Sequence, residues 1–289
     1  MIVVAMFGGL GNQLFQYASA RALAARRGTE LVLDTGWFDN IPARATKREF
    51  EMNRYPVSAR IVTPFEAAIG RMYWGRILRR LPLPRPWAAI RDREQGFDPA
   101  LLDAPDRSYL YGYWQSHRYF EDIADQLRRE LVPSGEPMSG YAELAAQIRA
   151  TNSVSVHVRR GDYVSNPLAA KLHGTCTPAY YARAIARMTA EVPEAHFYVF
   201  SDDPAWARAN LVFERPVTIV DFGADSDACR DLWLMSLCRH HVVANSSFSW
   251  WGAWLAGRPD GLVLAPEYWY ADGRELAEHI PTSWQRVAG

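Results

Sequence analysis

Short apolar runs alternate with longer amphipathic segments along most of this chain, and that alternation restricts its fold more than any other feature. Parallel strands need a crossover between them, usually a helix, so the pattern predicts parallel sheets covered by helices. The second half reads most clearly. It gives strand Val154–Val158, helix Pro178–Glu191, strand His196–Phe200, a helix from Pro204, strand Val217–Asp221, helix Asp227–Cys238, strand His241–Ala244, helix Ser249–Ala256 and strand Leu262–Ala265. The first half opens with a strand at Ile2–Phe7, a glycine turn and an amphipathic helix, then strands at Leu31–Leu33 and Ser108–Trp114 and a helix that stops before Pro133. Eight prolines between Phe38 and Asp106 interrupt any long period there, so this stretch reads as irregular. The segment Val132–Gly140 holds two prolines, two glycines and two serines and reads as a linker. A boundary at residue 136 gives two domains of ordinary size, 1–136 and 137–289.

Composition removes several classes of function. With 49% hydrophobic residues in 289, the chain can bury substantial cores and is not a disordered segment. Lys plus Arg and Asp plus Glu each total 32, so no global field attracts nucleic acid, and any anion site must be local. Among the cations only Lys47 and Lys171 are lysines; the rest are arginines, whose planar forks suit phosphate. Three cysteines without CxxC spacing argue against a disulfide framework and a metal site and fit a reducing compartment. No apolar run approaches the length of a membrane helix, and the N-terminus lacks the basic region of a signal peptide.

Four segments carry chemistry. In FGGLGNQ, Gly9, Gly11 and Asn12 follow a strand and open a helix, where backbone N–H groups can meet a ligand; Asn12 as a simple helix cap is the alternative. HVRRGDYV places His157, Arg159, Arg160 and Asp162 at a strand end, where open parallel sheets hold ligands. Strand alternation puts His157, Arg159 and, if the strand continues, Gly161 on one side, so Arg159 is the residue for a diphosphate, with Arg160 or Asp162 supporting it. An ordinary surface salt-bridge cluster is the alternative. In FSDDP, Asp202 and Asp203 either serve a metal, base or ribose, or one of them caps the helix at Pro204. In ANSSFSWWGAWL, Asn245, Ser246, Ser247 and Ser249 open a helix as a candidate phosphate cradle, while Trp250, Trp251 and Trp254 read as core.

Taken in this order, and with YGYWQSHRYF between them, the four segments resemble the alpha-1,2-fucosyltransferases of glycosyltransferase family 11. The resemblance implies a GT-B architecture: two Rossmann-like domains with parallel sheets facing a cleft, the first (1–136) binding acceptor and the second (137–289) binding GDP-fucose. It implies an inverting transfer of L-fucose from GDP-beta-L-fucose to the 2-hydroxyl of a terminal galactose on an oligosaccharide or O-antigen-type glycan. By the same resemblance His157 lies by the nucleotide, Arg159 grips the diphosphate, the serines hold the beta-phosphate or ribose, and Asn12 lies near the reacting centre. No cofactor and no metal ion is expected, because arginines serve the leaving group and SDD only partly imitates a DxD motif. Human relatives carry an N-terminal anchor, whereas this chain starts at the glycine-turn strand, so a cytoplasmic enzyme is expected, with peripheral membrane contact left open. A different acceptor, through an alpha-1,6 linkage or a peptide hydroxyl, and a non-catalytic sugar- or nucleotide-binding protein are the alternatives.

Overall fold

The computed structural model describes residues 1–42, 45–67, 87–92, 96–135, 139–273 and 278–289. The chain divides into two compact units, Met1–Leu131 with Ala277–His279, and Val132–Leu276 with Ile280–Gly289. The expected boundary at residue 136 lies outside the described residues.

The first unit holds five parallel strands, β1 (Ile2–Ala5), β2 (Leu31–Asp34), β3 (Arg60–Ile61), β4 (Ala88–Arg91) and β5 (Ser108–Tyr111), in the order β3-β2-β1-β5-β4. All four residues of β1 are buried, as a central parallel strand covered on both faces requires. The chain leaves β1 through Gly8, whose φ of +80° suits a residue without Cβ, and enters the helix Leu10–Arg27, which packs on β1 and β2. Strands β3 and β4 lie within the stretch that reads as irregular. They are two and four residues long and alternate between exposed and half-buried, so they have little apolar pattern of their own and form on the edges that β2 and β5 offer.

The second unit holds six parallel strands, β6 (Asn152–Val158), β7 (Ala195–Ser201), β8 (Val217–Val220), β9 (His240–Val242), β10 (Val263–Pro266) and β11 (Gln285–Val287), in the order β11-β10-β9-β6-β7-β8. The two faces of β7 show the period of two. Phe197 and Val199 join a core with Val154, Val156, Tyr181 and Met188, whereas Tyr198 and Phe200 join one with Tyr141, Leu234 and Met235. Trp250 and Trp251 are fully buried and Trp254 nearly so, in agreement with their reading as core. The helices Ser139–Ala150, Gly161–Ser165 and Pro167–His173 lie outside the sequence pattern read above, as does β11, which has a single buried residue.

Each sheet has one place where the strand order turns outward in both directions. In the first unit it lies between β1 and β5; in the second it lies between β6 and β9. Ligands of open parallel sheets bind beyond the carboxyl ends of the strands at such points.

Candidate active site

The carboxyl end of β6 carries a cluster of ion pairs among Arg159, Arg160, Asp162, Asp202 and Asp203. The strand stops at Val158 and does not run on to Gly161, because Arg160 is already the N-cap of the short helix Gly161–Ser165. Arg159 therefore owes its direction to two carboxylates and not to strand alternation. Its Nη2 donates to Asp162 Oδ1 at 2.5 Å, and its Nη1 lies 2.8 Å from Asp202 Oδ2. A guanidinium carries five N–H donors, so these contacts fix its plane and leave donors for a ligand. Its carbon also sits 5.6 Å from the Tyr163 ring centre.

Asp202 and Asp203 separate into two roles. Asp203 is the N-cap at Pro204, its Oδ1 accepting from the Trp206 amide at 3.0 Å, and its Oδ2 lies 3.2 Å from Arg160 Nε. Asp202 accepts from the Arg160 amide at 2.8 Å through Oδ1 while Oδ2 faces Arg159. Asp202 thus orients both arginines, and Asp203 is the member of the pair that caps the helix. Arg160 is likewise held by the protein, stacked 4.4 Å over Trp206. Gly161 is required by close approach: a Cβ there would lie 2.7 Å from Asp202 Oδ2.

His157 is buried on β6, and its Nδ1 has no hydrogen-bond partner among the described residues. Burial, with a smaller contribution from Arg159, pushes its pKa down to about 3, so the ring is neutral near pH 7. It cannot act as a cation toward phosphate.

Beyond β9 the expected phosphate cradle is mostly internal. The Asn245 amide donates to the carbonyls of His173, Gly174 and Trp269, and its Oδ1 faces the Cys176 thiol. Ser249 is fully buried, bonded to Ala244 and Ser246. Ser246 is the N-cap, accepting from Phe248. Asn245 and Ser249 are thus corrected to structural roles, and Ser247, half-buried in the first turn, is the member of the four that reaches the surface. The sequence pattern identified the loop but not the side chains that face outward from it.

A cavity of about 240 Å³ adjoins Asp202, lined also by Ser201, Asp221, Phe222, Ser226 and Asp231. Asp231 is a residue that sequence reading missed: it lies in the first turn of the helix Ala228–Leu237, where an acid ordinarily reads as a partner of the helix dipole. Here Tyr141 and Ser226 donate to its two oxygens, at 2.9 and 3.1 Å. Burial raises its pKa to about 6 in spite of those bonds. Phe222 stacks face to face on Tyr141, with ring centres 3.9 Å apart.

In the first unit, Gly9 is the N-cap of the helix Leu10–Arg27 and its carbonyl accepts from the amides of Asn12 and Gln13. Gly11 is buried in the first turn. Asn12 is not the cap. Its Oδ1 accepts from Gln115 Nε2 at 2.8 Å, joining the first turn of the helix after β1 to the loop after β5 across the switch point. Gln115 is the second residue that sequence reading missed, since nothing in its local pattern singles it out. Among the described residues no group of three His, Cys, Asp or Glu side chains converges to hold a metal ion.

Two parallel sheets with helices between their strands, one of them with an arginine cluster built at its switch point, make up an architecture of GT-B type. A family model described as glycosyl transferase family 11 matches residues 93–287, and the chain belongs to that family. An alpha-1,2-colitosyltransferase of Escherichia coli is 34% identical over 291 residues, covering 99% of each chain. The O-antigen biosynthesis glycosyltransferase WbnK of the same organism is 29% identical, covering 96% of this chain and 97% of its own. The human galactoside alpha-(1,2)-fucosyltransferase 1 is 26% identical over 86% of this chain and 64% of its own length. Among solved structures, a mutant of Arabidopsis thaliana FUT1 in complex with GDP superposes with a TM-score of 0.51 at 10% identity, covering 91% of this chain and 69% of that one, a likeness of fold alone. The two sequence relatives above that are named with a linkage are alpha-1,2-transferases, and alpha-1,2 glycosyl transfer is the reaction class of this chain.

Proposed function

We propose that this chain transfers L-fucose from GDP-beta-L-fucose, with inversion, to the 2-hydroxyl of a terminal galactose on an oligosaccharide or O-antigen-type glycan. The observation that carries the reading is Arg159, aimed by Asp162 and Asp202 at the switch point of the second sheet. Departure of the sugar as an oxocarbenium-like species leaves charge on the beta-phosphate, and a pre-oriented guanidinium stabilises that charge most in the transition state. Its two carboxylates stop it from reorganising as charge develops, which is what makes such a donor effective.

The cavity beside Asp202 suits the base of the donor. An ionised Asp231 would accept from the N1–H and N2–H edge of guanine, and Phe222 offers a ring face. On the acceptor side, Gln115 fixes the Asn12 amide through its oxygen, which leaves the Asn12 nitrogen as donor toward a sugar oxygen near the reacting centre. The reading requires no cofactor and no metal ion, since Arg159 supplies the positive charge at the leaving diphosphate. Among the described residues no helix is long and apolar enough to cross a membrane, and work on a nucleotide-sugar pool in the cytoplasm fits the proposed donor.

The end-to-end match to a colitosyltransferase supports a second donor. Colitose is L-fucose without its 3-hydroxyl, so the two readings differ by one oxygen. The test is GDP release in excess EDTA from GDP-L-fucose and from GDP-colitose, with lactose, N-acetyllactosamine, lacto-N-biose or buffer, followed by linkage analysis. Galactoside-dependent release from GDP-L-fucose with an alpha-1,2 product is the expected result. An alpha-1,6 product, or a need for added magnesium or manganese, would overturn the corresponding part.

A further inference from the structure

Besides its two carboxylates Arg159 has an aromatic neighbour, and that neighbour is tied to the other side of the switch point. Tyr163 stands on the short helix Gly161–Ser165, with its ring centre 5.6 Å from the Arg159 guanidinium carbon, within the range of cation–ring attraction. Its Oη donates to the Asn245 carbonyl at 3.3 Å, a bond that leads from the end of β6 to the loop after β9. His173, the last residue of the helix Pro167–His173, stacks on the Tyr163 ring at 4.8 Å and 6°, and Tyr270 stacks on His173 at 5.5 Å and 27°. The far end of this stack is anchored. Tyr270 is buried, and the Asn245 amide closes the surrounding loops through the carbonyls of His173, Gly174 and Trp269.

We propose that Tyr163 is a positioning residue for glycosyl transfer, acting through Arg159. The proposal rests on the assignment of Arg159 to the diphosphate and adds to it the group that fixes the arginine relative to the β9 side. Asp162 and Asp202 hold Arg159 from the loops after β6 and β7, whereas Tyr163 links it to the loop that opens the helix Ser247–Ala256. A ring held on one side by His173 and at its tip by Asn245 cannot swing away from the guanidinium. The separation of the two sides of the crevice is thereby set before a ligand arrives, which is the condition for charge to act most strongly in the transition state. A residue that merely packs would matter equally with or without Arg159, but a residue that positions Arg159 matters only while the guanidinium is there.

The test is a double-mutant cycle of Tyr163→Leu and Arg159→Ala. It is read as kcat with the galactosides above and GDP-L-fucose or GDP-colitose, whichever the parent turns over, alongside GDP affinity by calorimetry and thermal melting. Tyr163→Leu is expected to lower kcat about tenfold in the parent and less than about twofold in the Arg159→Ala background, with GDP affinity down about threefold in the parent alone. Tyr163→Phe, which keeps the ring, is expected to lose no more than about threefold in kcat. An equal loss in both backgrounds, or no loss in a folded Tyr163→Leu, would overturn the proposal and leave the transferase reading intact. Should Tyr163→Leu melt far below the parent, His173→Ala, which removes the ring stacked on Tyr163, takes its place: a loss of about threefold that depends on Arg159 supports the proposal, and any other result overturns it. A parent that binds GDP but turns over neither donor would end the transfer reading alone, and the same cycle in GDP affinity then decides by the same rule. A parent that binds no GDP would overturn both.

Discussion

The two switch points share one topology and carry opposite chemistry. In the second unit the strand ends hold Arg159 and Arg160 against Asp162, Asp202 and Asp203. In the first they hold aromatic rings, Phe7, Trp37, Phe38 and Tyr111, and a pair of amides, Asn12 and Gln115. Backbone geometry makes both crevices, but it does not decide what enters them. A diphosphate requires fixed charge, which must be held by counter-charges before the ligand arrives, whereas a neutral sugar requires apolar surface and a few hydrogen bonds.

The largest effect should come from removing the charge at the second switch point. Arg159→Ala is expected to lower kcat/KM for the donor by two to three orders of magnitude, about 3 kcal/mol of transition-state stabilisation. Near-normal turnover would end the assignment of Arg159 to the diphosphate. Gly161→Ala forces a methyl against Asp202 and so tests whether orientation matters as well as charge. We expect a loss of roughly tenfold in kcat with a smaller effect on folding, since the group that must shift is one carboxylate; thermal melting measured beside the kinetics separates the two.

The pH dependence of GDP binding sharpens the contrast further. Asp231 holds its proton up to about pH 6, and guanine N–H donors need the ionised form. Binding therefore releases a proton below pH 6, so affinity rises with pH through that value, by about tenfold between pH 5 and 7.5 on the one-decade-per-unit limit. The GDP phosphate adds a slope of the same sign to any variant, so the diagnostic is the difference between the parent and Asp231→Asn. Equal slopes would remove the base from this cavity. The smallest effect is salt: raising ionic strength from about 0.05 to about 0.5 M should weaken GDP binding a few-fold and leave the acceptor KM unchanged. Equal sensitivity of both would mean that the first switch point also binds charge.

Sequence reading reached the sheets and the loops but not the partners of individual side chains. The strands of the second unit were legible because burial on both faces leaves apolar residues closely spaced, every second one in Val154–Val158 and all four in Phe197–Phe200, whereas β11 is a strand only because β10 presents an edge to it. The motif around Arg159 was legible because adjacent arginines at a strand end need counter-charges. Which of Asp202 and Asp203 would cap the helix was not, since either residue type suits the cap, and the outcome depends on the backbone angle at Asp203. Asn245 and Ser249 were misjudged for a related reason: polarity at a helix start does not say whether a side chain faces solvent or closes the loop on itself. Gln115 and the rings around Phe7 arise from strands distant in sequence and meet their partners only once β1, β2 and β5 are side by side.

The membership of Ala277–His279 in the first unit bears on how the protein can be taken apart. His279 is fully enclosed there, hydrogen-bonded through Nδ1 to the Gln115 carbonyl and set 6.2 Å from the Phe15 ring centre. A fragment cut at Leu131 would lack that imidazole. It would carry a hole beside Phe15 and a loosened loop at the residue that steadies Asn12, so acceptor recognition studied on such a fragment would report on a damaged site, and a faithful dissection has to supply the C-terminal segment as well.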